Sequence, residues 1–154
     1  MKKILISTGG SGGHIIPAII FYDHLKNKFN VKIVSDKRGS KYINGNLYPH
    51  SIIDIPKISK NIIALPLFFL YFTVSLIKSL IFLKKQKINY LLSTGGYMSL
   101  PLCIASKILG IQIFLFEPNI VLGRSNKLIL KFAQNIFCYH NEIINFPEKF
   151  KKKI

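Results

Sequence analysis

The stretch Ile4-Leu5-Ile6-Ser7-Thr8-Gly9-Gly10-Ser11-Gly12-Gly13-His14-Ile15-Ile16-Pro17 joins a three-residue apolar run to a second apolar segment through a glycine-rich turn. The first run, after Met1-Lys2-Lys3, is too short for a signal-peptide core and reads as a buried strand. Ile15-Ile16-Pro17 opens a helix over residues 15–28, since proline is tolerated in a first turn. A strand running through glycines into a helix exposes backbone N–H groups beside the positive helix end, a cradle suited to pyrophosphate. The alternative is a tight turn that needs its glycines for geometry alone. His14 is then either a helix-start hydrogen-bonder or, next to a phosphate site, an acid–base group.

The spacing excludes the common nucleotide loops. There is no Gly-x-x-x-x-Gly-Lys-Ser/Thr, and a dinucleotide fingerprint starting at Gly10 would need glycine or alanine where Ile15 stands. A nucleotide-dependent oxidoreductase, with Asp36 as its ribose ligand, is therefore disfavoured.

Outward from this turn, short apolar runs at 4–6, 31–34, 52–55, 90–92, 111–116 and 136–138 lack strict alternation, as strands buried on both faces do. Helix-length segments at 15–28, 62–84, 99–109 and 124–132 separate most of them. Alternating strands and helices imply an α/β fold with a parallel, doubly wound, Rossmann-like sheet. Ligands of such sheets bind beyond the carboxyl ends of the strands. Gly110 fits the residue after a helix end. The tail Lys149-Phe150-Lys151-Lys152-Lys153 reads as a frayed, solvated terminus.

With 154 residues, 49% hydrophobic, the chain makes one domain spanning 1–154. Twenty-two Lys+Arg against six Asp+Glu give a net charge of +16, which favours anionic partners. Combined with a mean hydropathy of +0.33, that charge suits an anionic membrane surface better than a nucleic-acid groove. Cys103 and Cys138 lie in apolar runs without metal-type spacing and read as buried free thiols of a reducing cytosol.

Segment 62–83 is interrupted only by Pro66, a few hydroxyl residues and Lys78. Its length allows a membrane span, but Lys78, Pro66 and its place as a crossover argue against one. A helix lying in the membrane plane, followed by Lys84, Lys85 and Lys87, fits better, with a buried core helix as the alternative.

Two further loops follow strands. Ser93-Thr94-Gly95-Gly96-Tyr97-Met98-Ser99-Leu100-Pro101 again leads through glycines to a helix, with Ser99 as a possible N-cap, and makes a second anion-binding turn. Glu117-Pro118-Asn119-Ile120-Val121-Leu122-Gly123-Arg124-Ser125-Asn126 places Glu117 at a strand's carboxyl end, where it could act as a base, orient a hydroxyl or anchor the loop.

Together GGSGGH (9–14), GGYMSLP (95–101) and FEPNIVLGRSN (116–126) resemble, in order and interval, the amino-terminal domain of the MurG family. The resemblance covers nearly the whole chain. It implies the amino-terminal, acceptor-binding half of a GT-B glycosyltransferase, with the carboxy-terminal donor-binding domain absent. The implied reaction is transfer of N-acetylglucosamine from UDP-N-acetylglucosamine to an undecaprenyl-diphosphate-linked muramoyl-pentapeptide (lipid I to lipid II) in peptidoglycan synthesis. It implies peripheral attachment to the cytoplasmic face of the bacterial inner membrane and inverting chemistry without cofactor or metal.

By the same likeness Ser11, Gly12 and Gly13 meet the acceptor pyrophosphate or the donor, His14 is the candidate base, and Asn119 reaches the donor. Gly95, Gly96, Tyr97 and Ser99 belong to the second substrate loop, and Glu117 is a second catalytic candidate. Ser11 stands in place of the family's threonine, while Phe116 and Pro118 replace a histidine and a glutamine beside Glu117. The chain alone is expected to be inactive. A non-catalytic, membrane-associated acceptor-binding subunit, working with a separate donor-binding domain, is the alternative.

Overall fold

A computed structural model describes residues 1–53, 65–140 and 142–154. Its strands are β1 (Lys3–Ser7), β2 (Asn30–Ser35), β3 (His50–Ile52), β4 (Tyr90–Ser93), β5 (Gln112–Glu117) and β6 (Asn135–Cys138). The helices are α1 (Gly12–Leu25), α2 (Lys37–Ser40), α3 (Leu65–Gln86), α4 (Ser99–Ile108) and α5 (Arg124–Ile129).

The sheet runs β3-β2-β1-β4-β5-β6 and every pair is parallel. This is the expected doubly wound architecture. Alternate side chains of each strand feed opposite cores. Leu5, Leu91, Ile113, Leu115 and Ile136 pack with α4, while Ile4, Ile6, Ile33 and Leu92 pack with Ile15 and Ala18 of α1. Chain progress moves from β1 outward through β2 to β3, then β4 returns to the other side of β1. That reversal between β1 and β4 opens the crevice into which both glycine turns project.

The elements differ from expectation in particular places. Helix α1 starts at Gly12, three residues before the proline-based reading, because Ser11 adopts extended geometry and its carbonyl accepts from the His14 and Ile15 amides. Strand β3 lies upstream of its expected position, and residues 54 and 55 fall outside the described residues. So do residues 62–64 of the expected crossover helix. The tail is not frayed. A 3-10 helix at Glu148–Lys153 packs Phe150 on the core, and Lys153 Nζ donates to the Leu130 carbonyl at 3.0 Å, capping the end of α5.

Helix α3 has two unlike faces. Ser75, Ser79 and Leu83 are buried where it meets α4, and Ser79 Oγ donates to the Ser75 carbonyl. Leu67, Leu70, Val74, Ile77 and Ile81, at alternating steps of three and four, are exposed along another face, with Phe69 and Tyr71 beside them. The helix is long and apolar enough to cross a membrane by length and composition.

Candidate active site in the glycine-lined cleft

The three loops meet in an open cleft of about 510 Å3 at the carboxyl edge of the sheet. Gly10, Ser11 and His14 come from the first loop, Gly95, Gly96 and Tyr97 from the second, and Glu117 and Asn119 from the third. An apolar groove of equal volume lies over Ile4, Leu92 and Phe114. Its lining is almost entirely hydrocarbon, whereas His14, Glu117 and the glycine turns gather in the other cleft.

His14 is the hub of the first two loops. Its Nδ1 lies 2.7 Å from the Thr94 carbonyl oxygen. A carbonyl can only accept, so Nδ1 carries a proton, and in the neutral ring Nε2 is the nitrogen with the lone pair. The His14 carbonyl in turn accepts from Thr8 Oγ1 at 2.8 Å and Thr94 Oγ1 at 2.9 Å. Backbone and ring are therefore both fixed. Gly95 has φ +101°, and a Cβ there would sit 2.9 Å from His14 Cε1. Gly96 has φ +86°, and its Cβ would meet the Gly9 carbonyl at 2.9 Å. These two glycines let the second turn close on the first.

Gly12 and Gly13 differ in kind. A Cβ on Gly12 would meet nothing within 4 Å, and on Gly13 only Ser11 Oγ at 3.8 Å. Packing does not require them to be glycine, and neither is among the residues that line the cleft, which Ser11 and His14 reach from either side of them. The Ser11 side chain makes no capping bond to the first-turn amides of α1.

Ser99 is the first residue of α4 and not its cap. The cap position is Met98, in helical conformation, and Ser99 Oγ donates to the Gly96 carbonyl at 2.6 Å. Buried and outside the cleft lining, Ser99 holds the turn that presents Gly96 and Tyr97.

Glu117 is buried, and its carboxylate accepts four N–H bonds. Oε1 takes the Asn119 amide at 3.2 Å and Asn119 Nδ2 at 3.0 Å, while Oε2 takes the Gly123 amide at 2.7 Å and Asn126 Nδ2 at 2.9 Å. With both oxygens engaged, Glu117 organises the third loop and presents Asn119. Phe116, where a polar residue was the family pattern, instead packs edge-on to Phe21 and Tyr139, with ring centroids 5.2 and 4.9 Å away. Cys103 is buried as expected, whereas Cys138, at the end of edge strand β6, is only half-buried. Burial and the Glu117 charge push the nearby Cys138 thiol up, and burial pushes Cys103 up to about 12.

Asp36, the residue an oxidoreductase would turn to ribose, has no free oxygen either. Oδ1 accepts from the Gly10 amide at 3.0 Å and the Gly39 amide at 2.8 Å, while Arg38 occupies Oδ2. The dinucleotide reading loses its ligand. Among the described residues no three His, Cys, Asp or Glu side chains gather to hold a metal.

The family model of the Glycosyltransferase family 28 N-terminal domain matches residues 4–138, and the chain belongs to that family. It is 56% identical over 153 residues to the UDP-N-acetylglucosamine--N-acetylmuramyl-(pentapeptide) pyrophosphoryl-undecaprenol N-acetylglucosamine transferase of Pelagibacter ubique, covering 99% of this chain and 43% of that one. The protein of the same description from Rickettsia akari is 34% identical over 156 residues, covering 100% of this chain and 40% of its own. Among solved structures, MurG of Acinetobacter baumannii superposes with a TM-score of 0.80 at 23% identity, covering 96% of this chain and 43% of that one. That likeness is one of fold. The chain spans about two fifths of the length of the curated relatives it matches.

Proposed function

We propose that this chain is the acceptor-binding domain of an N-acetylglucosaminyltransferase that converts lipid I to lipid II, using UDP-N-acetylglucosamine held largely by a donor-binding domain. The observation that carries the reading is the His14 imidazole, fixed by Thr94 in the Nδ1-protonated tautomer and set between two glycine turns. His14 Nε2 takes the proton of the acceptor sugar hydroxyl as that oxygen bonds to the anomeric carbon of the donor. The bond from that carbon to the β-phosphate oxygen breaks, UDP departs with the electron pair, and the configuration inverts. Gly12 and Gly13 offer their amides to diphosphate oxygens, and Asn119, presented by Glu117, reaches the donor.

We place the domain at the cytoplasmic face of the membrane, with the exposed apolar strip of α3 in the interface and Lys78, Lys84, Lys85 and Lys87 near anionic headgroups. The functional reading is tested by calorimetric titration of the chain with a short-chain lipid I analogue and with UDP-N-acetylglucosamine. Tighter binding of the acceptor analogue supports the assignment. Tighter binding of the donor would reverse it.

A further inference from the structure

Of the 22 basic residues, 20 are lysine and only two, Arg38 and Arg124, are arginine. Both arginines line the glycine-lined cleft. The strand order places them symmetrically. Arg38 follows β2 and Arg124 follows β5, while the two glycine turns follow β1 and β4, which lie between those strands. Lysine is a point charge, whereas the planar guanidinium fork matches two phosphate oxygens at once. A chain that meets its other cationic needs with lysine thus reserves arginine for the two flanks of one cleft.

The two are held differently. Arg38 Nε and one terminal nitrogen each lie 3.1 Å from Asp36 Oδ2, on a carboxylate whose side chain is only 7% exposed while that of Arg38 is 57% exposed. The other oxygen of the same carboxylate holds the Gly10 and Gly39 amides. One buried anion therefore fixes both the first glycine turn and the guanidinium beside it. Arg124 is exposed at the start of α5 and makes no ion pair among the described residues.

We infer that Arg38 and Arg124 form a clamp on a diphosphate ester seated over the glycine turns, Arg38 supplying a pre-oriented fork and Arg124 an uncompensated charge. This rests on the cleft being the substrate site proposed above, and it adds to that reading two phosphate ligands, Arg38 outside the three loop segments and Arg124 at the end of the third. The chemistry fits the diphosphate of a lipid-linked acceptor and that of a nucleoside diphosphate donor alike.

The test is equilibrium binding of inorganic pyrophosphate, UDP and farnesyl diphosphate at fixed ionic strength, to the wild-type chain and to Arg38→Lys, Arg124→Gln and Lys28→Gln. Lys28, exposed just before β2 at the opposite edge of the sheet, controls for loss of one charge from a +16 chain. Arg38→Lys and Arg124→Gln should each weaken pyrophosphate binding about tenfold, with Lys28→Gln changing it less than about twofold. Arg38→Lys keeps the charge, so its loss reads the fork itself, and an unchanged circular dichroism spectrum confirms its fold. Arginine variants no weaker than Lys28→Gln, or a wild-type chain that binds no diphosphate, overturn the clamp. The farnesyl and UDP arms separate the two sources. Arginine-dependent binding with no preference for the isoprenyl compound leaves the clamp standing and sinks the acceptor reading, whereas isoprenyl preference indifferent to both arginines does the reverse.

Discussion

His14 Nδ1 and the Thr94 carbonyl oxygen, 80 residues apart in the chain, lie 2.7 Å from one another across the gap between β1 and β4. This bond ties the first glycine turn to the second and decides which ring nitrogen is basic. Because the Thr8 and Thr94 hydroxyls also hold the His14 carbonyl, the ring is positioned without help from substrate. With this domain joined to a donor-binding domain, His14→Ala should lower kcat by roughly 10²–10⁴ while changing acceptor affinity less than about threefold. Near-normal turnover across pH removes His14 from the mechanism.

The glycines separate into two experimental classes. Gly12→Ala introduces a methyl into open space in the first turn of α1 and should be neutral or stabilising, by up to about 1 kcal/mol, while obstructing ligand at the amides. Gly96→Ala forces a side chain to φ +86° and against the Gly9 carbonyl, and should destabilise by about 1–3 kcal/mol. Thermal melts paired with pyrophosphate binding read both effects. A Gly12→Ala variant that melts early would show that packing constrains this position after all.

Glu117 should behave as a buried anchor. Glu117→Gln turns an amide NH2 towards groups that are themselves donors and should cost about 2–4 kcal/mol, lowering the melting temperature by several degrees. The Cys138 thiol, raised by burial and then by the Glu117 charge, should react with iodoacetamide only as pH climbs above the ordinary thiol range. Removing that charge lowers the Cys138 pKa and should speed its alkylation at a given pH. Cys103, raised to about 12 by burial, should stay unmodified until the protein unfolds. Lost activity without lost stability in Glu117→Gln would restore a catalytic role.

For α3, the expectation is sedimentation with anionic vesicles that weakens as salt rises, since screening removes the lysine contribution and leaves the apolar one. Ile77→Glu with Ile81→Glu, on the exposed strip, should abolish binding while leaving the fold intact. Attachment resistant to both high salt and alkaline carbonate would indicate a spanning helix instead.

Much of this was legible in the sequence because apolar runs of strand length alternated with helix-length segments, and because glycine turns follow β1 and β4. What escaped depends on tertiary partners. Helix α2 is four residues long and exists because the Asp36 side chain caps the Gly39 amide, an Asp-x-x-Gly signal present in the sequence but assigned no helix. Ser99 has a cap's chemistry, yet its hydroxyl serves the Gly96 carbonyl behind it. The lysine-rich tail docks because Phe150 reaches the core, which charge counting does not reveal. Arg38 and Arg124 were visible as rarities among lysines, but only the strand order brings them to one cleft.

The most direct test of the central claim is sugar transfer from labelled UDP-N-acetylglucosamine to a lipid-linked muramoyl-pentapeptide acceptor, by the 154-residue chain alone and mixed with a donor-binding domain from a relative. Holding both reactants in register is worth roughly 7–11 kcal/mol at its largest, and on the proposed reading this domain alone positions only the acceptor. No transfer is expected from the chain alone, and on mixing transfer should appear that His14→Ala lowers by roughly 10²–10⁴. Robust transfer by the isolated chain would contradict this reading.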